Sequence, residues 1–278
     1  MALDHTCARR PMSARTLIGR VVVAAMLLVS AACAGSSTRI PVGTLEPDKF
    51  LWERGTQALN ERKWFTAREF FRQLVDGYPQ SPYRADGKLG IGDTYLGEGT
   101  AEGFVLAENE FREFLAYYPT HPRADYAHYK LAMTHFYQMH GPERDQTKTR
   151  DAIRELTAFL QRHPNSELAP EGRQRLRESR DRLSQSEYRV GFFYYRSKWY
   201  PGAIERFASV LKNDPEFTSR DAVYYHLAES LVSIERPAEA LVYYDKLVSE
   251  FEQSEYLENA QKRIAELKAN MAAQIKKN

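Results

Sequence analysis

One spacing recurs five times along this chain, and it dictates paired helices. Gly191, Tyr194, Ala203, Phe207 and Pro215 follow one another at gaps of 3, 9, 4 and 8. Two small residues twelve apart, each followed closely by an aromatic ring, suit two antiparallel helices that cross at short range. The proline stops the second helix, because it has no N–H to donate and its ring clashes with the preceding turn. Ala67, Phe71 and Pro79 repeat the second half of the pattern, as do Ala107, Phe111 and Pro119. Ala152 and Pro164 repeat it with Leu156 in the aromatic position, and Ala240 and Tyr244 repeat it with Glu252 in place of the proline. The closing positions 79, 119, 164, 215 and 252 stand 40, 45, 51 and 37 apart. One such hairpin cannot bury its own apolar face, so the five must stack on one another.

This spacing resembles the tetratricopeptide repeat, a helix-turn-helix unit of about 34 residues. The expected fold is all-α: a superhelical solenoid of five helix-turn-helix repeats plus a C-terminal helix. The wider gaps mark insertions, a loop at 97–103 in repeat two and a polar stretch at 138–148 in repeat three. Helices are predicted over 48–61 and 64–78, 83–96 and 105–118, one starting near 123 and one at 150–162. The rear helices are predicted within 187–215, at 221–235 and 238–250, and at 257–276. After Pro170 no proline interrupts the run to 196, which predicts one helix of about 25 residues, near 38 Å at 1.5 Å per residue. Its first half carries Arg173, Arg175, Arg177, Glu178, Arg180, Asp181 and Arg182. It reads either as a basic contact face or as a solvated helix surface.

The chain begins with a targeting pattern. Arg9, Arg10, Arg15 and Arg20 precede the apolar run 21–29, which is too short to span a bilayer, and Ser30, Ala31 and Ala32 lead to Cys33. The ending resembles a bacterial lipobox. That resemblance implies cleavage after Ala32 and acylation of Cys33; the alternative is an ordinary secretory leader with an incidental cysteine. Ala34 follows the cysteine, which implies sorting to the outer membrane. The long basic segment leaves Met12 as an alternative start. The domains expected are a signal peptide at 1–32, a lipidated flexible tether at 33–47, repeats one to three at 48–166, and the long helix with repeats four and five and a capping helix at 167–278.

Charge and cysteine content then exclude several chemistries. The leader holds four Arg and one Asp, or +3 of a total of +2, so the rest of the chain is near −1. A surface so close to neutral gives no counterion-release drive toward nucleic acid. Cys7 leaves with the leader and Cys33 is the modified residue, so no disulfide is expected. His128, His135 and His140 are spaced 7 and 5 apart, not at the i, i+4 interval of a helical metal pair. Gly90-Ile91-Gly92 has no following Lys-Ser/Thr and no preceding strand, so it is not a phosphate loop. No nucleophile motif is present, and the expectation is a protein without catalytic residues, metal or cofactor other than the lipid on Cys33.

More specific strings lie within this frame. Tyr78-Pro-Gln-Ser-Pro-Tyr83, Pro119-Thr-His-Pro122 leading to Asp125, Tyr126 and Tyr129, and Ser186-Glu-Tyr-Arg-Val190 join the lipobox, the tether and the long middle helix. Together they resemble the BamD family, lipoprotein subunits of the machine that folds β-barrels into the bacterial outer membrane. The resemblance implies a lipid-anchored protein on the periplasmic face of that membrane. It also implies the partners: a BamA-type POTRA protein, other Bam lipoproteins and unfolded barrel proteins. The family's POTRA-binding arginine corresponds to Arg206. The front repeats would hold the extended C-terminal signal of a barrel. Trp52, Lys88, Tyr95, His128 and Tyr129 are the candidate peptide-binding side chains on the front first helices, and each also suits core packing. Another periplasmic adaptor or scaffold lipoprotein of the same repeat class is the alternative reading.

Overall fold

A computed structural model describes residues 38–277, so the leader, the cleavage site and Cys33 lie outside the described residues. The described residues form eleven helices and no strand. Five hairpins supply ten of them. Repeat one is α1 (Pro47–Asn60) with α2 (Trp64–Gly77), and repeat two is α3 (Arg84–Glu98) with α4 (Ala101–Tyr117). Repeat three is α5 (Ala124–Phe136) with α6 (Thr147–Arg162), and repeat four is the second half of α7 (Ala169–Arg196) with α8 (Tyr200–Asn213). Repeat five is α9 (Arg220–Ser233) with α10 (Pro237–Glu250), and α11 (Leu257–Lys277) covers its open side. Helices pack on their neighbours in chain order, which makes a solenoid rather than one globular core.

The repeat markers do what their sizes suggest. Ala67, Ala107, Ala152, Ala203 and Ala240 are fully buried, as are Phe111, Leu156, Phe207 and Tyr244. Phe71 shows how tight the stack is. Its ring lies between Gly55 of its own repeat and Gly90 of the next, and a Cβ at either glycine would come within 2.5 Å of it. The turn between paired helices has its own signature. Arg62, Lys198 and Glu235 take positive φ of 57°, 59° and 62°, and Gly99 takes 66° at the same place in repeat two. Four turns therefore close through one left-handed residue, although only one of them is glycine.

Two local expectations change. The predicted loop at 97–103 shrinks to two residues: α3 runs through Glu98, Gly99 supplies the left-handed stop, and the Thr100 hydroxyl accepts from Gly103 N at 2.9 Å to start α4. The end of the tether is seated rather than free, since Ile40 packs against the cluster of Leu51, Phe70 and Leu74. The long helix is present with 28 residues, about 42 Å.

A row of aspartates fixes the pitch between repeats. Asp48 accepts from the Ser81 hydroxyl at 2.7 Å, Asp125 from Ser166 at 2.6 Å and Asp221 from Ser254 at 2.6 Å. Each serine oxygen also accepts a backbone N–H two residues on, from Tyr83, Leu168 and Tyr256. In the two remaining joints Arg123 pairs with Asp86, and Thr218 N donates to Asp181. In four joints the first turn of one first helix is thus tied to the loop that opens the next, and in the fourth joint the tie comes from Asp181 in the middle of α7.

Candidate functional site

The first helices of repeats two and three, with the start of α2, enclose a pocket of about 380 Å³. Leu59, Trp64, Leu96, Tyr126 and Tyr137 give it an aromatic and aliphatic wall, and Asp93 and Lys130 give it charge. The Tyr126 hydroxyl donates to Asp93 Oδ2 at 2.8 Å, and Lys130 Nζ stands 3.6 Å from Oδ1. Oδ1 itself is buried and has no hydrogen-bond partner. Burial pushes the Asp93 carboxyl up from its ordinary range, against the pull of Lys130 and the Tyr126 hydroxyl. Burial and the neighbouring carboxylate raise Tyr126 as well, so it remains a donor. The pocket therefore offers a ring-sized apolar space and one cation, with the Asp93 carboxylate buried behind them.

Of the five side chains predicted to meet a peptide, none lines this pocket. Tyr95 is buried, accepts from Arg72 at 2.6 Å and lies under the Arg68 guanidinium at 3.9 Å. Tyr129 is buried against Phe159. Trp52 is half-buried and stacks on Tyr83 at 5.0 Å. Lys88 reaches its own second helix and pairs with Glu110 and Glu113, each at 2.7 Å. His128 is buried between Arg162 and His163. The reason is helical phase. Residues one turn from the small marker face the partner helix, whereas Asp93 and Tyr126, one step further round, face the open side.

Histidines also behave as packing groups. Arg162 donates to His128 Nε2 at 2.9 Å, so the neutral ring carries its proton on Nδ1 and donates to His163 Nε2, also at 2.9 Å. Burial, with Arg162 and His163 adding to it, lowers His128 to about 4. Burial also lowers His135 and His226. Each folded value lies below the unfolded one, near 6.5, so the stability contribution is whole above that value and is lost as pH falls below it, for His128 toward 4. Thermal unfolding at pH 5 should come at lower temperature than at pH 7.5, with His128 alone accounting for about 1–2 kcal/mol. His128→Gln should flatten that dependence. His135 and His140 do not join His128, and the described residues contain no cluster suited to a metal ion.

Arg206 lies on α8 at the edge of a second groove, of about 530 Å³, between α6, α7 and α8. Ile153, Leu183 and Val210 contribute apolar surface there, and Arg150 and Arg180 add positive charge. Its ion pair with Glu187 is loose: Nη1 stands 3.5 Å from Oε2, with both side chains more than a third exposed. Such a pair contributes little to stability and can be exchanged for another carboxylate. The charged first half of α7 is mostly partnered, within the helix and across to its neighbours. Arg175 meets Glu171 and Glu178, Arg182 donates to the His140 carbonyl at 3.2 Å, and Arg177 binds Asp214 with both guanidinium nitrogens.

These features define the class, an all-helical tetratricopeptide-type solenoid with an aromatic pocket on its front first helices and a basic groove behind. The family described as YfiO, outer membrane lipoprotein, matches residues 45–233, and the chain belongs to that family. The outer membrane protein assembly factor BamD of Caulobacter vibrioides is 29% identical over 218 residues, covering 77% of this chain and 70% of that protein. BamD of Vibrio cholerae is 28% identical over 181 residues, covering 61% and 73%. BamD of Rickettsia prowazekii is 21% identical over 223 residues, covering 80% and 88%. No described helix is long and apolar enough to cross a membrane.

Proposed function

We propose that this chain is a non-enzymatic lipoprotein subunit of the outer-membrane β-barrel assembly machine. In this reading the lipid on Cys33 holds it to the periplasmic face of the outer membrane. Arg206 and its groove bind a POTRA region of a BamA-type protein, alongside the other lipoproteins of the complex. The front pocket holds the C-terminal strand of an unfolded barrel. The relatives are assembly factors by name, and the family description is an outer membrane lipoprotein.

The observation that carries the substrate half is the Asp93 pocket. An extended strand brings alternating side chains and free N–H groups. An aromatic residue can enter beside Trp64, Tyr126 and Tyr137, and a chain-terminal carboxylate can meet Lys130. A soluble form starting near Ser36 should therefore bind a peptide of a barrel's last strand. Tyr126→Ala should weaken binding about tenfold, the loss of one good aromatic contact with its hydrogen bond. Equal affinity for a scrambled peptide would end this reading.

A further inference from the structure

The repeat register exposes a missing helix. In repeats two, three and five the residues just before and two after the small marker of the first helix are buried: Ile91 and Thr94, Leu131 and Thr134, Leu227 and Ser230. They are buried because the preceding repeat packs over them. Among the described residues no repeat precedes repeat one, and there the same places hold Arg54 and Gln57, polar and exposed. In repeat four the two places hold Val190, 38% exposed, and Phe193, 65% exposed. This face is thus as open as the end of the stack, yet it is apolar.

The cause lies in α7, which serves as a first helix twice. Gly172 follows Pro164 by the same 8 residues that separate Gly87 from Pro79. It meets Phe159 of α6 as Gly87 meets Leu74 of α2. Then Gly191, further along the same helix, meets Phe207 of α8. The second helix that would separate these two registers is absent from the described residues. The insertion of repeat three fills part of the gap, through Arg182 to the His140 carbonyl and Arg189 to Glu143 at 2.7 Å, and it stops there. Val190 and Phe193 lie beyond it.

We infer that this slot is a docking site for an acidic amphipathic helix of another polypeptide. Three observations fix the occupant. The equivalent place in the other internal repeats is covered by a packed helix, so the shape suits a helix rather than a strand or a flat surface. Val190 and Phe193 supply the apolar stripe such a helix needs. Arg196, one turn on from Phe193, and Lys198, in the turn that follows, are exposed and form no ion pair among the described residues, so carboxylates on the incoming helix find free cations. A second copy of this chain is a poor fit, because the end helix α11 carries more Lys and Arg than Glu. The site does not depend on the front pocket or on Arg206. Phe193 points some 240° round α7 from Glu187, at 100° per residue.

The test is photocrosslinking in intact cells with Phe193→p-benzoylphenylalanine in the full-length chain, followed by sequencing of the joined peptide. The adduct should map to a helix of a different protein, apolar on one side and rich in Asp or Glu on the other. Val190→Asp should lower its yield about tenfold, because it places a charge against the apolar stripe. It should leave thermal unfolding unchanged, since the residue is exposed. Arg206→Glu should leave the yield unchanged, which separates this site from the POTRA reading. An adduct to lipid, to a second copy, to the front repeats of the same chain or to an extended segment would overturn the inference. So would an unreacted position 193.

Discussion

Arg177→Ala should destabilise the chain by about 3–5 kcal/mol, the cost of leaving a buried carboxylate without its partner. Asp214, at the end of α8, is 9% exposed at its side chain and receives both Arg177 nitrogens and the Ser184 hydroxyl, the latter at 2.6 Å. Burial pushes the Asp214 carboxyl up, but Arg177 and Ser184 together outweigh it and hold it below the ordinary range. That stability is present above the unfolded value and lost as pH falls through the lowered one. The double change Arg177→Leu with Asp214→Leu should recover much of the loss, because an apolar pair of similar volume does not strand a charge. Urea unfolding of the wild type and the two variants distinguishes these outcomes. Equal stability of Arg177→Ala and wild type would mean that the middle of α7 is a solvated surface after all.

Phe71→Ala should cost a comparable amount, about 3–5 kcal/mol, from lost burial and the cavity left behind. The ring is nearly fully buried between Gly55 and Gly90, which cannot fill the space because neither carries a side chain. The loss should not spread evenly. A stack of repeats couples neighbours only. Amide hydrogen exchange should therefore accelerate in α1 to α4 and remain slow in α9 and α10. Uniform acceleration along the whole chain would show a single cooperative body instead.

The repeats were legible because their physics is local. A small residue, an aromatic ring and a terminating proline each leave a mark at fixed spacing, so the hairpins and the long helix could be read directly. The pocket was not legible. Asp93 and Tyr126 stand two residues before Tyr95 and His128, and Lys130 one residue after Tyr129; at 100° per residue either offset exchanges the open face for the core. Contacts between distant residues left no local mark either. Ser166 to Asp125, Arg177 to Asp214 and His128 to His163 join positions 41, 37 and 35 apart. Ser81, Ser166 and Ser254, each two residues past a repeat's closing position, are the one local hint of the first, and Ser is common in turns for other reasons. The stretch around Gly97 and Gly99 looked like a loop because two glycines and a threonine serve equally as a loop and as back-to-back helix caps.

The central claim is that one rigid stack holds two different polypeptides at separate places. Calorimetric titration of the soluble chain with a last-strand barrel peptide and with a purified POTRA region tests it directly. The account predicts that both bind at once. Tyr126→Ala should weaken only the peptide, and Arg206→Glu should weaken only the POTRA region. Competition between the two ligands, or loss of both with either substitution, would contradict it.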